Sequence, residues 1–199
     1  MNSKDIVIKS LEVNYLHFKF VGVTGFRDIK PFNIDKLLGK IIRLGNEKKV
    51  IIQLFDSDLI ATWEHLFFAA LQGVKAFLHS NNISKSLAIE SLIYASGQRQ
   101  IKLAVNLLGL KPMTKNCALL LLGTSPEEIE SLIEEIFRDL GGKLDLSVLD
   151  INESKFNRIK TTFDVSDLEI ETITLNNTWN EQKTALIKLI LERLAFLHF

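Results

Sequence analysis

"NCALLLLGTSPEEIESLIEEIFRDLGG", Asn116 to Gly142, joins two kinds of secondary structure within one short stretch. Asn116 to Leu122 is an uninterrupted apolar run bounded by glycine, short enough to be a strand buried on both faces. Behind it, Ser125, Pro126 and Glu128 have the spacing of a capping box with proline at the first helical position, and Gly141 ends the run. The stretch therefore predicts a buried strand followed by an amphipathic helix.

Reading outward, Leu11 to Val23 and Lys48 to Phe55 are rich in branched and aromatic residues and predict strands. Between them "NIDKLLGKIIRLG" predicts a short helix capped by Asn33 and stopped at Gly45. The middle predicts three helices: Asp58 to His79, Ser86 to Ala95, and Gln98 to Leu108, the last closed at Gly109 in a Schellman turn before Pro112. "KLDLSVLDI" predicts a fourth strand, Glu153 to Thr161 a short helix, and "DLEIETITL" an extended piece. Thr178 and Glu181 repeat the capping-box spacing and open a final helix to Leu197. Strands, then helices, then strands with helices describe an α+β protein: one domain over 1–199, with a helical layer packed on a small mixed β-sheet.

The chain has 199 residues, 47% of them hydrophobic, which suits one packed core. The single Cys117 cannot form an internal disulfide, and no basic, apolar leader opens the sequence, so a reducing, cytoplasmic location is expected. Asp58 to His79 approaches membrane-span length, but Glu64, His65, Gln72, Lys75 and His79 interrupt it with one polar stripe. No membrane association is expected. Charges cancel, 24 basic against 24 acidic, yet they are not evenly spread. Gly73 to Ala118 holds Lys75, Lys85, Arg99, Lys102, Lys111 and Lys115 with Glu90 as its only acid; Thr124 to Ser154 is strongly acidic.

Catalytic signatures are missing. The four histidines are scattered and no cysteine pair exists, so no metal is expected. No nucleophile elbow, Walker loop or dinucleotide glycine fingerprint occurs, and Asp56 and Asp58 sit where helix capping wants them. The expectation is a protein with no catalytic residues and no cofactor.

Two other features stand out. On the last helix Leu186, Leu189, Ile190, Leu194 and Leu197 form one face, and Ile187, Leu191 and Phe196 widen it to roughly 240°, where a one-sided helix needs about 100°. Such a helix is covered on two sides, by its own domain or by a partner. The second is "NISKSLAIESLIYASGQRQIKLAVNLLG", Asn82 to Gly109, in which two helices each begin behind a small, polar, basic loop. With Ile101, Ala104, Val105 and Leu108 turned to the core, Arg99, Lys102 and Asn106 point outward. Ser84, Ser86, Ser96 and Gly97 lie near helix N-termini, whose free N–H groups suit capping or anions.

"FDSDLIATWEHLFFAALQGVKAF" followed by "NISKSLAIESLIYASGQRQIKLAVNLLGL" resembles the kinase-binding regulatory subunit of the KEOPS complex, the PRPK-binding (TPRKB-like) protein family in its archaeal-like form. The resemblance implies a non-catalytic subunit that binds a small atypical kinase/ATPase and recruits tRNA, by its single-stranded 3′ CCA end, for threonylcarbamoylation of the adenosine beside the anticodon. It assigns tRNA contacts to Lys75, Asn82, Ser84, Lys85, Ser86, Ser96, Gly97, Arg99 and Lys102, with Tyr94 and Gln98 as secondary positions. Leu186, Leu189, Ile190 and Leu194 are the expected kinase contacts. The alternative is a kinase-binding regulator that does not touch RNA.

Overall fold

The computed structural model describes residues 5–15 and 17–197. Strands β1 (Ile6–Tyr15) and β2 (Phe18–Arg27) form a hairpin where the sequence suggested one strand. Helix α1 (Ile34–Lys48) leads to β3 (Ile51–Asp56), and a 3-10 turn (Ser57–Leu59) opens a helical excursion through α2 (Trp63–Leu78), α3 (Leu87–Ser96) and α4 (Ile101–Leu108). The chain returns as β4 (Cys117–Gly123), followed by α5 (Pro126–Leu140), the two-residue β5 (Lys143–Leu144), a second 3-10 turn (Leu146–Leu149), α6 (Glu153–Thr162), α7 (Asp167–Ile173) and α8 (Trp179–Ala195).

The strand order is β1-β2-β4-β3, with β5 beside the end of β2. Every pairing among the described residues is antiparallel, so the fold is α+β but its sheet is not mixed. The reason lies in the excursion. α2 to α4 leave β3 and come back to the same end of it, where the Ser57 amide donates to the Asn116 carbonyl at 3.2 Å, so β4 must run back alongside. β4 is buried throughout. Ala118, Leu120 and Leu122 face a core built with α2 and α3, while Cys117, Leu119 and Leu121 face one built with α1 and α5. Helices thus cover both faces, where the sequence suggested one layer.

A third apolar cluster gathers α6, α7 and α8 around Phe156, Ile159, Phe163, Leu186 and Ile190. α8 touches α2 and α3 on one side and α6 and α7 on the other. Most of its wide apolar arc is spent on these four helices of the same chain, and Phe196 at its end stays exposed.

Several boundaries differ from the sequence reading, each for a local reason. α1 runs through Gly45 to Lys48, because Lys49 takes the left-handed cap (φ 57°) and its amide closes on the Gly45 carbonyl. Gly109 ends α4 with φ −67°, not in a Schellman turn; a Cβ there would lie 2.5 Å from the Val105 carbonyl oxygen, so glycine serves close approach. "DLEIETI" is helical because Ser166 and Glu169 form a reciprocal capping box, and in "KLDLSVLDI" only Lys143–Leu144 is strand, while Leu146–Leu149 is a 3-10 turn held by the Asp145 carboxylate. Ser125 caps α5 as read, but the Glu128 carboxylate turns to the amide and hydroxyl of Thr124.

Candidate functional site

The nine candidate polar residues separate into two groups at opposite ends of α3, a helix of ten residues and therefore about 15 Å long. Lys75, near the end of α2, accompanies Asn82, Ser84, Lys85 and Ser86 at the entrance of α3. Ser96, Gly97, Arg99 and Lys102 belong to the elbow where α3 gives way to α4. Between them α3 offers no accessible surface of its own from Glu90 to Ser96, all of which are buried.

The entrance loop is organised by Glu90. Its carboxylate, wholly buried, accepts from the amides of Ile83 at 3.1 Å and Ser84 at 2.7 Å. The Asn82 side-chain amide donates to the Ser84 carbonyl, the Ser86 amide donates to the buried Ser84 hydroxyl, and the Ser86 hydroxyl accepts from Ile89 at the start of α3. Asn82, Ser84 and Ser86 therefore have local partners, and only Lys75 and Lys85 stand free of the loop's own bonding. Burial of Glu90 has an electrostatic result that the sequence did not reveal. The charged groups that Gly73 to Ala118 leaves exposed, Lys75, Lys85, Arg99, Lys102, Lys111 and Lys115, are all positive.

At the elbow, the buried Ser96 hydroxyl donates to Ile93 and accepts the Gln98 amide, and Gly97 holds a left-handed φ of 64° that lets the chain reverse. Gln100 precedes α4 without a side-chain cap, so the first amides of that helix have no side-chain partner at the cap position. Gly97, Gln98 and Arg99 line one side of an open groove of about 410 Å³; Phe163, the exposed Asp164, Arg193 and Phe196 line the other. Phe196 is 60% exposed. Arg193 is held in place by the Asp164 carbonyl at 2.7 Å and the Glu169 carboxylate at 2.8 Å. The Ser166 amide, and then Arg193, pull the Glu169 carboxyl down to about 2. The groove can offer an arginine and an exposed aromatic ring to a flexible anionic ligand.

His65 supports this elbow from below. Its Nδ1 accepts the Ala61 amide at 3.2 Å, which leaves the proton on Nε2 to be donated to the Ala95 carbonyl at 2.7 Å. Its ring meets Phe163 edge-on at 5.6 Å. Burial lowers its pKa to about 4, so the ring is neutral. Sequence reading placed His65 on a wet stripe; His65 is instead buried against Ala95 and Phe163, while Lys75 and His79 of the same stripe are exposed.

Four other expectations are corrected. Leu186, Ile190 and Leu194 are fully buried and Leu189 is 7% exposed, all in the chain's own α6–α8 cluster, so none presents a face to a kinase. Tyr94 is 1% exposed and cannot stack on a base. On α4 Ala104 and Leu108 are buried in the core and Leu107 packs against it; Ile101 and Val105 remain 42% and 41% exposed beside Lys102. Asp56 caps the 3-10 turn through the Asp58 amide, whereas Asp58 pairs with Arg158. Burial pushes the Cys117 thiol far up, away from nucleophilic use. Among the described residues no group of three His, Cys, Asp or Glu side chains could hold a metal, and no helix is long and apolar enough to cross a membrane.

Comparison with known proteins adds two matches. The family described as kinase binding protein CGI-121 matches residues 26–197. "Regulatory protein Cgi121" of Methanocaldococcus jannaschii is 34% identical over 113 residues, 57% of this chain and 70% of that protein.

Proposed function

Since the chain belongs to the CGI-121 kinase-binding protein family, we propose that it is the non-catalytic, kinase-binding subunit of a cytoplasmic KEOPS-type complex and that it recruits tRNA by the 3′ CCA end. Its partners are then a small atypical kinase/ATPase, which it regulates, and a tRNA whose adenosine beside the anticodon is threonylcarbamoylated elsewhere in the assembly. The observation that carries the tRNA half is the elbow groove. Arg99 and the exposed Phe196 ring line the same open groove of about 410 Å³, and Arg99 belongs to a segment whose exposed charges are all positive. A single-stranded end needs that combination: cations for its phosphates and a ring for its bases.

Within this reading the roles of the candidates differ. Arg99, Lys102, Gly97 and Gln98 meet RNA directly. Asn82, Ser84, Ser86 and Ser96 shape the two ends of α3, and Lys75 and Lys85 contribute long-range attraction. The kinase contact falls to side chains outside the core, since the apolar face of α8 is occupied. The test is a titration with intact tRNA and with tRNA lacking CCA. Binding that weakens at least ten-fold on truncation supports the reading, and equal affinities overturn it. The separation of the candidates into two groups favours a second reading, a kinase-binding regulator without RNA contact. That reading requires co-purification with the kinase and no binding of either tRNA.

A further inference from the structure

Beyond the elbow groove the surface continues in the same direction, toward two lysines that neither the sequence reading nor the family resemblance assigned. Thr162, at the end of α6, lines the elbow groove and also a cavity of about 460 Å³ on its other side, which Lys111 and Arg158 border. That cavity adjoins another of about 420 Å³, where Lys111 is joined by Lys115. We propose that these openings form one track, and that the acceptor strand of a bound tRNA, once its 3′ end lies in the elbow groove, passes Thr162 and sets its phosphates against Lys111 and Lys115. The inference rests on the tRNA reading above and extends it from the terminal nucleotides to the stem behind them.

Three observations support the track. First, the two lysines are carried on a braced turn. The Lys111 amide donates to the Thr114 hydroxyl, the Thr114 amide donates back to the Lys111 carbonyl, and the Thr114 hydroxyl donates to the Asp56 carboxylate at 2.9 Å. The Lys115 carbonyl accepts from Ile29 at the sheet's end, so both ends of the turn are fixed to the fold. Second, neither lysine belongs to an ion pair among the described residues, and the acids in the cavity are already engaged: Asp56 with Thr114 and the Asp58 amide, Asp58 with Arg158 at 2.7 Å. Third, α4 is about 12 Å long and separates Arg99 from Lys111, so the two lysines lie beyond the reach of a dinucleotide held at the elbow but within reach of the strand that follows it.

The experiment compares full-length tRNA with its isolated 3′-terminal dinucleotide, on the wild-type protein and on Arg99→Glu and Lys111→Glu/Lys115→Glu variants whose circular dichroism matches wild type. The expected result is that Arg99→Glu weakens both ligands. The double variant should weaken tRNA ten-fold or more, flatten its logarithmic salt slope by about 1.5 to 2 units, and leave the dinucleotide unchanged. The track is overturned if the double variant binds tRNA with wild-type affinity and slope, or if it loses the dinucleotide equally. If wild type binds neither ligand, the tRNA reading falls and the track falls with it. Lys111→Ala/Lys115→Ala, which adds no negative charge, must show the same selectivity at smaller amplitude.

Discussion

The carboxylate of Glu90 accepts the amide of Ser84 at 2.7 Å, six residues back along the chain and wholly out of solvent. One buried acid therefore sets the shape of the loop between α2 and α3 and removes the only negative charge from the basic segment around it. Replacing it with glutamine puts an amide N–H near two backbone donors. Glu90→Gln should cost about 2 to 3 kcal/mol, because hydrogen bonds to a charged group are lost and buried donors go unpaired. The check is the denaturation midpoint at constant m-value, with the Asn82 to Ser86 loop becoming the first protease cut; an unchanged midpoint refutes the assignment.

His65 predicts a loss of stability in mild acid. Its pKa is about 4 in the fold against 6.5 when unfolded, so below pH 6.5 the unfolded chain takes up a proton that the folded chain refuses. The contribution is complete above pH 6.5 and declines as pH falls toward 4, by up to about 3 kcal/mol. Chemical denaturation from pH 7.5 to 4 should show that slope, and His65→Gln should flatten it.

Lys155 acts at the other end of the scale. It is buried, donates to the Val148 carbonyl at 2.9 Å, and desolvation lowers its pKa to about 8. Between pH 8 and the ordinary lysine value of 10.5 the unfolded chain holds the extra proton, so this group makes stability rise across that window. In Lys155→Met the rise should be smaller than in wild type; identical profiles would mean that the amine is solvated.

Leu189 and Ile190 distinguish core from interface. Ile190→Ala should destabilise the protein by about 2 to 5 kcal/mol by leaving a cavity between α8 and its neighbours. Leu189→Glu should lower the thermal midpoint of the isolated chain and lose the kinase only together with the fold. A variant of normal stability that no longer binds the kinase would return the apolar face of α8 to the interface.

What the sequence disclosed was local. α5, the Ser125 cap, the burial of Cys117 and the Thr178–Glu181 box follow from spacing within a few residues, and all are present. The direction of β4 was not legible, since it depends on where three helices return the chain. α7 was misread because its β-branched residues suggested extension, while Ser166 and Glu169 decided for a helix. The faces of α4 were assigned by periodicity, but this helix of eight residues is anchored by Ala104, Leu107 and Leu108, not by Ile101 and Val105. The groove could not be seen at all: Arg99 and Phe196 lie far apart in sequence, and only the packing of α8 against α3 brings their surroundings together.

The closure of Ser57 on Asn116 spans 59 residues, yet β3 and β4 are direct neighbours. A gap of that length slows the folding search more than it weakens the product, because loop entropy grows only with the logarithm of length. The helices α2 to α4 therefore form an insertion whose two ends meet at one point and whose core is shared with the sheet. A chain cut between α2 and α3, with its two ends joined by a linker, would place β4 near one end of the new sequence and β3 near the other, and the fall in its refolding rate would report how far that one closure governs the search.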